Sequence, residues 1–566
     1  MKSPRLTRRL TRVDLGLLNA AFGVVLLTAP AEGQGTTRVS VDSAGVEGNR
    51  ESQFPSISPD GQLVAFSSDA SNLVAGDTNG REDVFVHDRT TGQTQRVSLD
   101  SAGEQGNGGS KYPSISADGQ DVAFQSAGSN LVAGDTNGAW DVFVHDRSTG
   151  QTERVSVNTS GAEGNDGSGY PSISADGQIV AFHSRASNLV AGDKNGTPDV
   201  FVHDCSTGLT ERVSVSSSGK GGNSDSRDPS ISADGRIVAF YSLASNLVAG
   251  DTNRSTDVFV HDRSTGQTER VSVDTSGAEG NEESQDPAIA AEGKIVAFYS
   301  AASNLVAGDT NGYPDVFVHD RLTGITERVS VHSNGNEANE ENLHPSISAD
   351  GRIVAYSSWA SNLVAGDTNS TVDVFLHDRS TGVTKRVSVD SSGAQGNRGS
   401  DYPSISADGL FVAFYSVASN LVAGDTNGGR DVFVHERCRV DATWMNYGAG
   451  FPGSSGVPLF TSRGDPVLGS KLTLDLGNSY GNDTPGLLLV GYQQAVIPTD
   501  KGGDLLMIPL VTTLLNVRWI GITIEGDVPD QTNLCGIEVF LQALEVDPGA
   551  ARGVSFTAGL KLVLGL

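Results

Sequence analysis

Positive charge is scarce in this chain of 566 residues: 39 lysines and arginines face 68 aspartates and glutamates, for a formal net charge of −29. Such a surface repels a phosphate backbone and excludes nucleic acid as the expected partner. It favours solubility and draws cations and basic surfaces. Cysteine is nearly absent too, at three residues, too few for a disulfide-built scaffold. Cys205 stands where other repeats carry Arg and reads as unpaired, while Cys438 and Cys535 are left open as a bridge. No segment after the N-terminus has the roughly 20 consecutive apolar residues that a spanning helix requires. The one apolar stretch, residues 15–27, follows Lys2, Arg5, Arg8, Arg9 and Arg12 and precedes Ala29-Pro30-Ala31, the pattern of a cleaved signal peptide over residues 1–31. Its removal takes away five basic residues and one acidic one, leaving −33. Residues 439–566 contain no histidine, so Gly477-Asn478-Ser479-Tyr480-Gly481 has no local base. Asn482-Asp483-Thr484-Pro485-Gly486 also breaks the helix that a nucleophile elbow needs, and the motif reads as a chance match. P-loops and CxxC pairs are missing as well.

What the chain does have is a period. Arg-Val-Ser returns at Arg38, Arg96, Arg154, Arg212, Arg270, Arg328 and Arg386, every 58 residues without insertion or deletion. Such spacing means one structural unit stacked seven times. Each unit holds four β-type runs, for example residues 171–174, 179–184, 199–204 and 210–215. Ala175-Asp176-Gly177 and Ser206-Thr207-Gly208 supply tight hairpins, and no 3.6-residue period competes. Seven four-stranded antiparallel units predict a β-propeller. The seventh unit ends near His435 without an outer strand, and Arg38 to Val41 is spare, so it is expected to close the ring.

At "PSISPDGQLVAFSS" and "DVFVHDRTTGQT" the chain resembles the PD40 repeats of TolB-like propellers, over residues 38–438. That resemblance implies the seven-bladed fold and an exported bacterial setting. The stretch between the second and third strands, such as residues 68–82, is longer than is usual in that family.

The seven copies differ unevenly. "SADG" and "DRSTG" hairpins, expected on one face, are nearly constant. On the opposite face, just before the inner strand, stand Phe54, Tyr112, Tyr170, Asp228, Asp286, His344 and Tyr402. The end of the second strand carries Ser67, Gln125, His183, Tyr241, Tyr299, Ser357 and Tyr415, and nearby loops add Trp140, Tyr313 and Trp359. Aromatic bodies with polar tips offer large contact area at little entropic cost. The candidate binding face is therefore Phe54, Tyr112, Trp140, Tyr170, Tyr241, Tyr299, Tyr313, His344, Trp359, Tyr402 and Tyr415; the alternative is unconstrained drift, with rings covering loop backbone.

Two repeated constellations suggest metal. His87, His145, His203, His261, His319, His377 and His435 share one register. On third strands about 15 Å from the axis, neighbours stand more than ~10 Å apart, whereas zinc needs nitrogens at ~2.1 Å. They are expected instead to hydrogen-bond a neighbouring turn. Asp77-x-Asn79-Gly80-x-x-Asp83 recurs as Asp135, Asn137 and Asp141, as Asp309, Asn311 and Asp315, and onward to Asp431. The spacing matches part of a calcium loop. Ala75 and Val86 occupy its end positions, Arg254 and Ser370 replace the glycine twice, and Asx turns use the same residues. No metal site is committed to, and calcium remains the alternative.

Residues 439–566 alternate short apolar runs with Gly and Pro turns, which predicts a small β-sandwich. The expectation is an all-β protein: signal peptide over 1–31, seven-bladed propeller over 36–438, C-terminal β-sandwich over 439–566. In function it is an exported, monomeric, non-enzymatic scaffold without a cofactor or catalytic residues, periplasmic or extracellular, recognising a glycan, a peptide or an envelope protein. The alternatives are a propeller-based carbohydrate lyase or hydrolase-associated enzyme, for which Asp228, Asp286 and His344 are the candidates, and a calcium-stabilised adhesion or envelope protein.

Overall fold

A computed structural model describes residues 11–14, 35–437, 442–468, 470–501, 503–528 and 534–565. The described residues form strands, turns and loops without an α-helix. They fall into two compact units, one of residues 36–390 and 394–436, the other of the described residues before 36, of 391–393 and of those from 437 onward.

The first unit is a seven-bladed propeller of four-stranded sheets. In the third blade the strands are Ser168–Ile173, Ile179–Ser184, Asp199–Asp204 and Leu209–Arg212, in that order from the axis outward. Val, Ala and Phe alternate across the second and third strands and interlock with the next blade. Ala181, Val200, Val202 and Val213 pack against Ile231, Val238, Phe240 and Phe259. Full burial of each large side chain contributes about 1.5–3 kcal/mol. Neighbouring hairpins are tied by backbone, Ala117 N–H to the Ala175 carbonyl at 2.9 Å, and the same bond closes the ring from Ala407 to Pro59 at 3.0 Å. The hairpin glycine is obligatory at Gly177, where φ is +74° and a Cβ would stand 2.0 Å from Asp121 Oδ2.

The last sheet runs Ser400–Ile405, Phe411–Ser416, Asp431–Glu436 and then the N-terminal strand Gly35–Arg38. The ring is closed by an N-terminal strand, but that strand is Gly35–Arg38 and not Arg38 to Val41. After Arg38 the serine side chain ends the ladder. Ser40 Oγ accepts the Val432 N–H at 3.1 Å and donates to Asp431 at 2.6 Å, which turns the chain out of the sheet. Every inner strand also starts three residues before the expected Pro. A register shift interrupts it there, between Gly169 and Ser172 in the third blade.

The second unit is a β-sandwich. One sheet contains Phe460–Ser462, Lys471–Leu476 and Ile522–Asp527; the other contains Thr443–Tyr447, Gly559–Val563, Glu538–Val546, Thr484–Gly491 and Val511–Val517, with Val554–Phe556 on Glu538–Val546. Leu472, Leu474 and Leu476 face Leu488, Val490, Leu541 and Leu562 in one core. Apart from Thr11–Asp14, which pairs in parallel with Ile522–Asp527, the expected signal peptide lies outside the described residues. Cys535 is disulfide-bonded, Cys205 is free, and Cys438 lies outside the described residues.

Candidate functional site

The register shift of the inner strands builds a cup on the propeller axis. In each blade the residue before the inner proline is forced into the left-handed region: φ is 52° at Phe54, 53° at Tyr112, Tyr170 and Tyr402, 47° at Asp228 and Asp286, and 51° at His344. Bulky residues rarely adopt this conformation. Together with their prolines the seven side chains line one cavity of about 340 Å³.

The cup has two unlike walls. On one side Tyr402, Phe54, Tyr112 and Tyr170 run ring to ring: Phe54 to Tyr402 edge-on at 5.2 Å, Phe54 to Tyr112 at 4.3 Å, Tyr112 stacked on Tyr170 at 4.3 Å. The Tyr170 hydroxyl donates to that of Tyr112 at 3.1 Å, and burial pushes both phenols up. On the other side stand Asp228, Asp286 and His344. His344 stacks on Tyr402 at 3.9 Å, its Nδ1 is 3.0 Å from Asp401 Oδ1, and its Nε2 is 3.8 Å from Asp286 Oδ2. Burial and the charges of Asp228 and Asp401 push the Asp286 carboxyl up to about 6, against the pull of His344. Burial favours neutral His344, but the hydrogen bond and charge of Asp401 and the charge of Asp286 outweigh it and raise its pKa. Asp401 is held low: His344 and its hydrogen bonds outweigh burial.

A second tier holds the first. In two blades a residue near the end of the second strand accepts the strained N–H of the next blade: Gln125 Oε1 from Tyr170 at 2.9 Å and Ser357 Oγ from Tyr402 at 3.2 Å. Tyr415 packs on Tyr402 at 5.6 Å and on Phe54 at 6.2 Å. The Tyr299 hydroxyl donates to Gln285 at 2.8 Å. Burial and the charges of Asp228 and Asp286 raise the phenols of Tyr241 and Tyr299. Of the candidate face, Phe54, Tyr112, Tyr170, His344 and Tyr402 thus meet at the cavity, and Tyr241, Tyr299 and Tyr415 belong to the tier around it. Trp140 lies farther out beneath Lys111, whose Nζ is 5.0 Å from its ring and 5.2 Å from Tyr112. Tyr313 and Trp359 stand exposed at 37% and 40%, outside the cavity lining. Asp228 and Asp286, weighed above only for an enzyme, share the cup with the aromatics. Gln125 and Ser357 were among the varying positions of the second strand but not among the candidates, and Asp401 was missed; its signal was adjacency to Tyr402 in the varying pre-proline register.

The two metal-like constellations have other occupations. His87 Nδ1 meets Thr94 Oγ1 at 2.8 Å, and Thr94 donates to the Val41 carbonyl of the preceding junction at 2.6 Å. The partner is therefore the outer strand and not a turn, because Thr94 lies directly opposite His87 in the ladder. Burial lowers the His87 pKa and keeps the ring neutral. Thr36 meets His435 at 2.9 Å, so the closing strand repeats the arrangement. In the aspartate motif, Asn79 donates to Asp83 at 2.8 Å, and Arg96 Nη1 lies 3.4 Å from both Asp77 and Asp83. Among the described residues three carboxylate trios lie close enough for a cation: Glu47, Asp425 and Asp431; Asp135, Asp141 and Glu163; Asp251, Asp257 and Glu279. Each is bridged by an arginine, with Arg270 at 3.9, 3.2 and 2.7 Å from the last trio. Burial raises the carboxyls of Asp77, Asp83, Asp135, Asp141 and Asp309, and lifts Asp315 to about 6. Ser479 is buried, hydrogen-bonded to Glu545 and 2.9 Å from Ser555, with no histidine base.

This fold and site define the chain as a seven-bladed β-propeller with an axial aromatic and acidic cup, followed by a β-sandwich. No family model and no curated protein matches it. Among solved structures it is similar to one assigned as TolB from Agrobacterium tumefaciens, at 17% identity over 53% of this chain and 87% of that one, with a TM-score of 0.32. It is similar to KlAtg21 in complex with the coiled coil of AgAtg16, at 10% identity over 65% and 95%, TM-score 0.36. A structure assigned as the extracellular domain of a hybrid two-component system, BT4673 of B. thetaiotaomicron, matches at 11% identity over 93% of this chain and 59% of that one, TM-score 0.38.

Proposed function

We propose that this chain is an exported, non-enzymatic binding protein that takes a glycan, a peptide or a segment of an envelope protein into the axial cup. The observation that carries this is the left-handed backbone at Phe54, Tyr112, Tyr170 and Tyr402. Each such residue costs about 1–3 kcal/mol, and Asn, Asp or Gly would relieve it. Four aromatics held there at that cost, rings converging on a cavity, read as recognition and not drift. Export rests on the pattern of residues 1–31, and no helix among the described residues is long and apolar enough to cross a membrane. The test is a glycan and peptide array probed with the full chain and with a Tyr112→Ala, Tyr170→Ala, Tyr402→Ala variant checked for an intact melting transition. Hits lost in the variant support the reading; hits that survive it, or none at all, overturn it.

One observation favours an enzyme as the second reading. Asp286, poised at about 6 beside the His344 and Asp401 pair, suits proton transfer. Turnover of chromogenic glycosides or of polyuronates, lost in Asp286→Asn, is what that reading requires. The calcium reading requires a melting temperature that rises with calcium and falls with chelator. With an arginine already bridging each carboxylate trio, we expect neither.

A further inference from the structure

The two walls of the cup ask for different things from one ligand. Asp228 and Asp286 bring two carboxylates to the cavity; Asp401 stands behind them with His344 at 3.0 Å, and His183 Nδ1 lies 3.2 Å from Asp228. Asp286 accepts no hydrogen bond among the described residues; the His344 Nε2 is 3.8 Å away. A half-buried carboxylate without a full partner is costly, and an incoming cation lowers that cost. An anion is repelled by the same groups. A bare divalent ion fits poorly, because among the described residues the carboxylate groups gathered within 4.8 Å of one another are the arginine-bridged trios and not the axial set. Across the cup, the stacked rings of Tyr112 and Tyr170 offer an apolar wall and π faces, which hold a CH₂ stem and favour a cationic head.

Resting on the binding function proposed above, we infer that the cup takes an organic cation, an ammonium or guanidinium head on an apolar stem, with the head at Asp286 and Asp228 and the stem along the tyrosines. Two sources share this chemistry: a free small amine and a Lys or Arg side chain of a peptide. The cavity of about 340 Å³ admits either.

Isothermal titration calorimetry on the full chain tests this, with agmatine and cadaverine as free amines, acetyl-Gly-Arg-Gly-amide as the peptide, and N-acetylglucosamine as a neutral ligand. At least one cation is expected to bind about tenfold or more tighter than the neutral sugar. Asp286→Asn is expected to weaken it by about tenfold, and Tyr112→Leu by a smaller factor, because the head loses its counter-charge and the stem only part of its wall. Asp228→Asn, with the melting transition as a control, serves if Asp286→Asn does not fold. Tighter binding of agmatine or cadaverine assigns the free amine, and tighter binding of the tripeptide assigns a protein partner. Cations that bind no better than the sugar, or equally well to Asp286→Asn, overturn the inference. In that case a neutral array ligand still lost in the triple tyrosine variant would leave the binding function standing, whereas silence in both experiments removes both.

Discussion

Two sets of seven residues run around the same propeller at different radii. On the third strands, Asp83, Asp141, Asp199, Asp257, Asp315, Asp373 and Asp431 are identical, all 0% exposed, and each hydrogen-bonds a serine hydroxyl. On the inner strands the pre-proline residues share one strained backbone geometry and carry Phe, Tyr, Asp or His. Where the chain needs only a fold, the side chain is constant and the backbone relaxed. Where side chains vary over a constant strained backbone, the geometry itself is what is being kept. The comparison separates scaffold from site without reference to any other protein, and it is open to attack from both ends.

The largest effect is expected in the outer set. Asp257 accepts from Ser272 at 2.7 Å, Asn253 at 3.1 Å and Arg270 at 3.2 Å, so Asp257→Ala takes a shared buried acceptor from a hydroxyl, an amide and a guanidinium that keeps only Glu279 at 2.7 Å and Asp251 at 3.9 Å. We expect a loss of about 3–5 kcal/mol in urea unfolding, with ligand affinity of the folded fraction unchanged. A loss below ~1 kcal/mol, in the range of exposed ion pairs, would remove the contrast between the two sets.

Asp286 should behave oppositely. Its folded pKa of about 6 lies above the 3.8 of an unperturbed aspartate, so between those values the native state holds more protons than the unfolded chain. Stability from this group is therefore present at the acidic end of that window and is lost as pH rises through 6. At pH 7.5 the charged carboxylate is a burden. Asp286→Asn should raise stability there by about 1–2 kcal/mol, allowing for the part of the group that water reaches, and change nothing near pH 4. Urea midpoints at the two pH values decide it. A variant that is less stable at pH 7.5 would make Asp286 part of the scaffold.

The blade architecture was legible because its signals are local: Asp-Gly turns, Val and Phe alternation, and a fixed period. The closing strand was misplaced because Ser40, like Ser98 and its other counterparts, ends the backbone ladder with its side chain, while Arg-Val-Ser-Val reads in sequence as a continuing strand. The histidine partner was misassigned because Thr94 faces His87 across the sheet, seven residues away in sequence. Phe54, Tyr112, Tyr170, His344 and Tyr402 were found by comparing copies. That Asp228 and Asp286 complete the same cup was not, since only a ring closed in space brings blades four and five opposite blades one and two. Tyr313 and Trp359 shared the aromatic signal yet sit on loops away from the axis: residue type carried no radius.

A smaller effect sits at the edge of the cup. Lys111 spans Tyr112 and Trp140, and Lys111→Met keeps the stem while removing the charge over both rings. The stability cost should be about 0.5–1 kcal/mol. If the cup takes a cation, removal of this neighbouring positive charge should also tighten binding slightly and steepen its loss with added salt. Looser binding of agmatine in Lys111→Met would mean that the lysine supports the bound cation instead of repelling it, and would count against the acidic side as the anchor.

The smallest expected change tests the comparison most directly. Removing a large aromatic ring from a core normally costs about 3–5 kcal/mol, and Phe182→Ala should do so, since Phe182 is fully buried against Phe201. Tyr170→Asn deletes a ring of similar size that stacks on Tyr112 and His183. It also replaces a bulky residue at φ 53° with one that tolerates the left-handed region, returning about 1–2 kcal/mol of backbone strain. Stacking losses of about 0.5–1.5 kcal/mol and that relief nearly cancel. The denaturation midpoint should therefore move by under ~1 kcal/mol while ligand binding is lost. If Tyr170→Asn instead destabilises the propeller as much as Phe182→Ala does, the ring is there to hold the blades together, and the strained register loses its claim to be a site.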